Sequence, residues 1–140
     1  QAIGNGLYGL QSMDAKSDEV RKLLRALTTK IVDSKARLNA QAIGNALYGL
    51  QTMDAESDEV QGLLRALTVK IRASTAMLSP QEIGNALYGL KNMNANSPAV
   101  QGLLSALTVK ISHPKAWLDG QAIGSALYGL QTMDASSPAV

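Results

Sequence analysis

The sequence predicts an all-α fold, either an α-solenoid or a ring-forming tandem repeat of two-helix hairpins, with about seven helices. The decapeptide QAIGNALYGL at 41–50 recurs almost unchanged at 1, 81 and 121, which sets a period of 40 residues. Each period contains two segments whose apolar residues follow helical spacing, and a capping residue precedes each segment. We therefore expect one tandem-repeat domain over 1–140, divided into repeats 1–40, 41–80 and 81–120 and a half-repeat 121–140.

The first predicted helix, helix A, has an apolar stripe in the second repeat formed by Val60, Leu63, Leu64, Leu67 and Ile71. These residues stand at i, i+3, i+4, i+7 and i+11, the spacing of one buried helix face. Helix A is expected to start at a serine cap, to carry acidic residues or proline in its first turn, and to carry lysine near its end. The serines are Ser17, Ser57, Ser97 and Ser137, and the lysines are Lys30, Lys70 and Lys110.

The second predicted helix, helix B, follows the capping residues Asn39, Ser79 and Asp119. Ser79-Pro80-Gln81-Glu82 has the pattern of a capping box with proline at the first helical position. Its buried stripe is expected to be Ile43, Leu47 and Leu50, with Met53 beyond. Gly44 and Gly49 are expected inside this helix, where each glycine costs about 1 kcal/mol relative to alanine. Because the cost recurs in every copy, we expect neighbouring helices to approach closely at the glycines.

The first and last B helices have the same apolar residues as the interior copies. Terminal repeats of a stacked array usually have polar outer faces. Apolar outer faces are typical of self-association or of a truncated array, and a head-to-tail contact closes into a ring or extends into a filament. A seamless join is not expected, because the junction would lack one helix A. The predicted self-association residues are Ile3, Leu7 and Leu10 at one end and Ile123, Leu127 and Leu130 at the other.

Composition excludes several classes of site. The chain has no cysteine and one histidine, so it has no disulfide, no thiolate nucleophile and no zinc site built on thiolates. His113 precedes Pro114 and is expected to close a helix at the surface. We find no signal peptide and no apolar run of the roughly 18 residues needed to span a bilayer, which favours a cytoplasmic protein without a membrane partner.

The net charge of +2 is unevenly shared among the repeats. The first repeat carries +3, the second −1, the third +1 and the half-repeat −1. From these sums we expect no long track of one sign, and only modest affinity for a polyanion, concentrated near one end. The basic patch of the first repeat is expected to be a solvated face, with an anionic-partner site as the minority interpretation. Its members are Arg21, Lys22, Arg25 and Lys30.

Helix B also carries a polar and aromatic stripe on a second face. In the second repeat this ladder is Gln41, Asn45, Tyr48 and Thr52. One interpretation is a row of groups that read and stack nucleobases. The favoured interpretation is that the amides satisfy neighbouring backbone groups and the tyrosines pack between repeats, because a sequence-reading surface needs variation between repeats. The candidate ladder residues are Asn5, Tyr8, Asn45, Tyr48, Thr52, Asn85, Tyr88, Asn92, Ser125 and Tyr128.

The run at 60–93 resembles the octotricopeptide-type repeats of organellar RNA-binding proteins and is similar to the helical repeats of the FAST-kinase-like family. The resemblance rests on Ser79, Pro80, Gln81, Glu82, Asn85, Leu87, Tyr88 and Leu90. It departs from the family at Tyr88, where tryptophan is usual, and at Gly84 and Gly89. The resemblance implies an α-solenoid that binds single-stranded RNA.

Other motifs give no chemistry. Gly4-Asn5-Gly6-Leu7-Tyr8-Gly9 matches the dinucleotide fingerprint in letters, but no strand precedes it. The acidic cluster of the second repeat lacks the glycine of a calcium loop and is better explained by helix-start electrostatics. We therefore expect no catalytic residues, metal, cofactor or small-molecule substrate. The leading hypothesis is a non-enzymatic scaffold that forms homo-oligomers through its ends, and the alternatives are a single-stranded RNA binder and a protein-binding solenoid.

Overall fold

The computed structural model describes all 140 residues and consists of seven α-helices without strands. Short helices alternate with long ones. The short B helices are α1 (Ala2–Tyr8), α3 (Ala40–Tyr48), α5 (Pro80–Tyr88) and α7 (Gly120–Gly129). The long A helices are α2 (Asp18–Asp33), α4 (Asp58–Ala73) and α6 (Pro98–Ile111).

Equivalent helices pack side by side in two rows. In the B row, α1 contacts α3, α3 contacts α5 and α5 contacts α7; in the A row, α2 contacts α4 and α4 contacts α6. A single apolar core of 33 buried residues joins the rows. Both predicted stripes lie in it, because Leu63, Leu64 and Ile71 of α4 and Ile43 and Leu47 of α3 are fully buried.

Glycines set the close spacing of the B row. A Cβ atom at Gly44 would lie 3.1–3.2 Å from the Cα and side-chain atoms of Glu82 on the next B helix. A Cβ atom at Gly49 would collide with the backbone carbonyl of Leu7 on the preceding B helix. The predicted close approach is therefore confirmed. The predicted position of Gly49 is corrected, since it is the residue after the last turn of α3 rather than an interior residue.

The caps of the two helix types differ. In the B helices the side chains of Asn39 and Asp119 each accept one hydrogen bond from the backbone N–H three residues later, and Ser79 forms the predicted capping box with Glu82. The serines that precede the A helices make no such bond. Ser57 Oγ instead donates to the Glu59 carboxylate at 3.0 Å, so the serine cap is correct in position but not in mechanism.

The third repeat departs from the others at the end of its A helix. α6 has 14 residues where α2 and α4 have 16, and it ends at Ile111. Proline disfavours helical geometry in the residue before it, which explains the early end ahead of His113-Pro114. His113 is exposed at the surface, as its sequence position predicts.

Candidate interaction surface

The four tyrosines of the B helices form one continuous stack of rings. Neighbouring ring centroids are 5.5 Å apart for Tyr8 and Tyr48, and 5.4 Å apart for each of the next two pairs. The planes of neighbouring rings differ by only 16–17°. Each interior ring therefore has a tyrosine on both faces, and these faces are occupied within the chain.

A second line of ladder residues bonds one repeat to the next. The hydroxyl of Thr52 donates to the Met13 carbonyl at 2.8 Å, and the amide of Asn92 donates to the Gln51 carbonyl at 2.6 Å. Thr132 makes the same contact with Lys91 at 2.9 Å. These side chains satisfy backbone acceptors of the preceding repeat.

The remaining ladder line is polar and open. Asn45, Asn85 and Ser125 are half-buried and Asn5 is exposed. The ladder's hydrogen bonds between repeats are made by Thr52, Asn92 and Thr132 instead. A groove of about 250 Å³ runs between α5 and α7 past Asn85 and Ser125. Within the ladder, these groups and the exposed glutamines Gln41, Gln81 and Gln121 are free to meet a ligand.

Lys91 interrupts the B row's pattern, because glutamine stands at the same place in the other repeats. Its ammonium lies 4.5 Å from the centroid of the Tyr88 ring and 3.1 Å from the Tyr88 hydroxyl. It also donates to the Gln51 side chain at 3.1 Å. The lysine is thus held by the stack rather than presented to solvent.

The residues predicted for self-association differ in exposure at the two ends. Leu7 and Leu10 are buried, with 1% and 2% of their surface exposed, and Ile3 is half-buried. At the other end Ile123 and Leu127 are exposed and Leu130 is half-buried. The outer face of α1 consists instead of Ala2, Asn5, Gly6 and Tyr8, which are all exposed.

The basic patch of the first repeat is not one cluster of free cations. Arg21 lies 3.8 Å from the Asp18 carboxylate and also donates to the Ala15 carbonyl, and Arg25 donates to Glu59 on α4 at 2.5 Å. Lys22 and Lys30 are exposed. Of the patch, Arg25 alone bonds to the next repeat, whereas the contacts of Arg21 lie within the first repeat.

The Glu59 carboxyl, which accepts the hydrogen bond from Arg25, has a lowered pKa. Its pKa lies below the ordinary value, first because the carboxylate accepts a hydrogen bond from the Glu59 backbone N–H, and then because Arg25 and Ser57 donate to it. The carboxylate is at the positive end of α4, which favours the charged form. The predicted helix-start electrostatics is thus visible in the bonds of this residue.

The stacking of the repeats brings positive charges together along one edge of the molecule. The net charges of whole repeats do not show this feature. Lys70 at the end of α4 donates to the Ser34 and Ala36 carbonyls in the loop after α2, and Lys110 repeats the contact with Ser74 and Ala76. The ends of the A helices and the loops that follow therefore lie along one edge of the molecule.

We call this side, residues 30–40, 70–80 and 110–120, the basic edge. It holds seven of the 13 lysines and arginines and two of the 11 acidic residues, for a net charge of +5, whereas the rest of the chain has −3. Stacking places these equivalent segments of successive repeats next to one another. The cations of the edge are Lys30, Lys35, Arg37, Lys70, Arg72, Lys110 and Lys115.

No three acidic or histidine side chains converge in a way that could hold a metal ion. In the acidic cluster, Asp54 accepts a hydrogen bond from the Glu56 backbone N–H, a local turn that Asn94 and Asp134 repeat. For Asp134 this bond lowers the pKa of the carboxyl below its ordinary value. The cluster's contacts are thus those of a turn and a helix start.

No helix is long and apolar enough to cross a membrane. Comparison of the chain with protein-family models, with curated proteins and with solved structures gave no match.

Proposed function

We propose that this chain is a non-enzymatic scaffold, an α-solenoid whose outer B helices join further copies of the same unit. One observation carries the proposal: the same contact between B helices occurs three times within the chain, and the outer faces of α1 and α7 have the matching residues. Gly4, Gly44 and Gly84 each lie against the third residue of the next B helix, which is Ala42, Glu82 or Ala122. Gly124, the fourth member of this series, faces open space.

The outer face of α1 complements this surface. Position 6 of the repeat is a small, buried residue in the interior copies, Ala46 and Ala86, and is Gly6 on the open face of α1. On α7, Ile123 and Leu127 are equivalent to Ile83 and Leu87, which are buried inside the chain. A contact of α7 with α1 of a second copy would therefore bury apolar area by the packing already used inside the chain.

The test measures the mass of the particle in solution by light scattering across a wide dilution series. We expect an oligomer whose mass falls on dilution, and a Leu127→Glu variant that is monomeric at the same concentrations. Val32→Glu is the matched control, because Val32 is 64% exposed on α2 and Leu127 is 66% exposed on α7. A wild-type chain that is monomeric and fully helical at every concentration contradicts the proposal.

Single-stranded RNA binding is a second candidate, supported by the open line of Asn45, Asn85 and Ser125 beside the tyrosine stack and by the family resemblance. Tyrosine substitutions cannot test it cleanly, because the rings stack on one another. We expect Asn45→Ala with Asn85→Ala to weaken binding of a random single-stranded RNA pool, measured by fluorescence anisotropy, without changing the unfolding midpoint. Asn96→Ala, an exposed amide in a loop, is the control. Equal affinity of both variants for the pool counts against this candidate.

A further inference from the structure

The two junctions of the A row differ at one ion pair. At the first junction, Arg25 of α2 donates to the Glu59 carboxylate of α4 at 2.5 Å. At the second junction the equivalent arginine is Arg65, and the residue in the place of Glu59 is Ala99. Arg65 donates only to Gln61 on its own helix, at 3.3 Å, and is exposed. The second junction thus keeps the arginine and lacks its carboxylate.

A second group has also lost its partner here. Ser57 Oγ donates to the Glu59 carboxylate at the first junction, and the equivalent Ser97 Oγ is buried without a hydrogen-bond partner. Nothing nearby in sequence compensates the cations, because Glu82 is the one acidic residue between Val60 and Leu118. Its carboxylate accepts from the Ser79 backbone N–H in the capping box of α5. The second junction is therefore cationic without an internal counter-charge.

A groove of about 410 Å³ lies at this junction between α4 and α6. Arg72 and Ser74 line one side, and Ser105, Ala106, Val109 and Lys110 line the other. Val109 is 74% exposed, and Val69, which lies between Arg65 and Arg72 on the same face of α4, is 65% exposed. The surface combines guanidinium groups with apolar side chains at short spacing.

We propose that this groove and the adjoining exposed face of α4 bind an acidic polypeptide segment of a partner protein, with carboxylates on Arg65 and Arg72 and an apolar side chain on Val69 and Val109. Carboxylate is favoured as the ligand because Arg25, at the equivalent position of the first junction, binds a carboxylate within this molecule. The exposed valines match apolar side chains rather than phosphates. The inference rests on the scaffold function proposed above, and it specifies the chemistry of one partner.

The experiment measures binding of a fluorescent synthetic peptide of glutamates with leucines at helical spacing. It uses the Leu127→Glu background, so that self-association does not contribute. We expect the peptide to bind, and its counterpart with glutamine for every glutamate to bind at least about tenfold more weakly. Arg65→Glu with Arg72→Glu should lose about tenfold or more in affinity, and a lysine version of the peptide should recover binding to that variant. Lys16→Glu with Lys22→Glu is the control for total charge and should change affinity by less than about threefold.

A third variant tests the missing ion pair directly. Ala99→Glu places a carboxylate where Glu59 stands at the first junction, so it should occupy Arg65 and weaken peptide binding without removing a cation. Unchanged affinity in both the Ala99→Glu chain and the charge-reversed chain overturns the proposal. Tighter binding of poly-uridylate through the same arginines would assign the groove to nucleic acid instead. Failure of the scaffold proposal is seen separately, as a particle mass that Leu127→Glu does not change.

Discussion

The B row is nearly the same in every repeat, whereas the exposed face of the A row changes from one repeat to the next. In the B row, glycine meets a backbone carbonyl and tyrosine meets tyrosine at each step. On the A row, one exposed position is occupied in successive repeats by Arg25, Arg65 and Ser105. The exposed position one turn later is occupied by Thr29, Val69 and Val109. Of these side chains only Arg25 bonds to another repeat, through Glu59, whereas Thr29, Arg65 and Ser105 form hydrogen bonds within their own helices.

The difference separates the part of the repeat that builds the array from the part that is able to carry specificity. A contact between backbones tolerates no side chain, so the residues of the B row are fixed by sterics. A surface that discriminates between partners needs differences between its positions. The A row and its basic edge provide those differences, and the following predictions test whether the two rows divide the roles in this way.

The largest expected effect comes from adding one methyl group to the B row. In Gly89→Ala the new Cβ would collide with the Leu47 carbonyl of α3, and neither backbone can move without displacing its helix. We expect a loss of several kcal/mol in the free energy of unfolding, measured by urea denaturation. Gly62→Ala is the matched substitution on the A row, where a Cβ meets nothing within 4 Å. It should stabilise by about 0.5–1 kcal/mol, and equal destabilisation by both variants would contradict the division.

The next effect is the removal of one ring from the tyrosine stack. Tyr48 has a ring on each side, whereas Tyr8 has a ring on one side only. Each aromatic pair contributes about 0.5–1.5 kcal/mol beyond the burial of its area. We therefore expect Tyr48→Ala to lower the free energy of unfolding by about twice as much as Tyr8→Ala. If the ring stack does not contribute to stability, the unfolding midpoints of both variants will equal that of the wild type.

These two predictions also show how much the sequence could provide. The helices, both buried stripes and the close approach at Gly44 followed from spacing alone, because the repeat copies each signal several times. The tyrosine stack was one of two interpretations of Tyr48, since a helical stripe does not reveal which groups face one another across a junction. The basic edge was missed because charges were summed along the repeat. Comparing equivalent positions across repeats, such as Lys30, Lys70 and Lys110, is the signal that would have found it.

A smaller effect is expected from the lysines that connect the A row. Lys70 donates to the Ser34 and Ala36 carbonyls of the preceding loop, whereas Lys30 is exposed and makes no such contact in this chain. Lys70→Met keeps the apolar stem and removes the donor, which should cost about 1–2 kcal/mol of unfolding free energy. Lys30→Met should fall within about 0.5 kcal/mol of the wild type. Equal effects would mean that the junction does not depend on this bond.

The smallest expected effect is the pH dependence that the Arg25–Glu59 pair gives to the first A-row junction. The pKa of Glu59 lies below its ordinary value of 4.5 in the folded chain, chiefly because of the hydrogen bond from the Glu59 backbone N–H and then because of Arg25. A depressed carboxyl pKa stabilises the fold above the unfolded value, and this contribution disappears as the pH falls through the folded value. Arg25→Met should therefore raise the pKa of Glu59, followed by its NMR titration, while the backbone bond keeps that pKa below 4.5. The stability difference between wild type and Arg25→Met should be present at neutral pH and absent in acid below the folded pKa. A difference that persists unchanged in strong acid would show that Arg25 stabilises the junction by packing alone, and the contrast with Arg65 would then concern shape rather than charge.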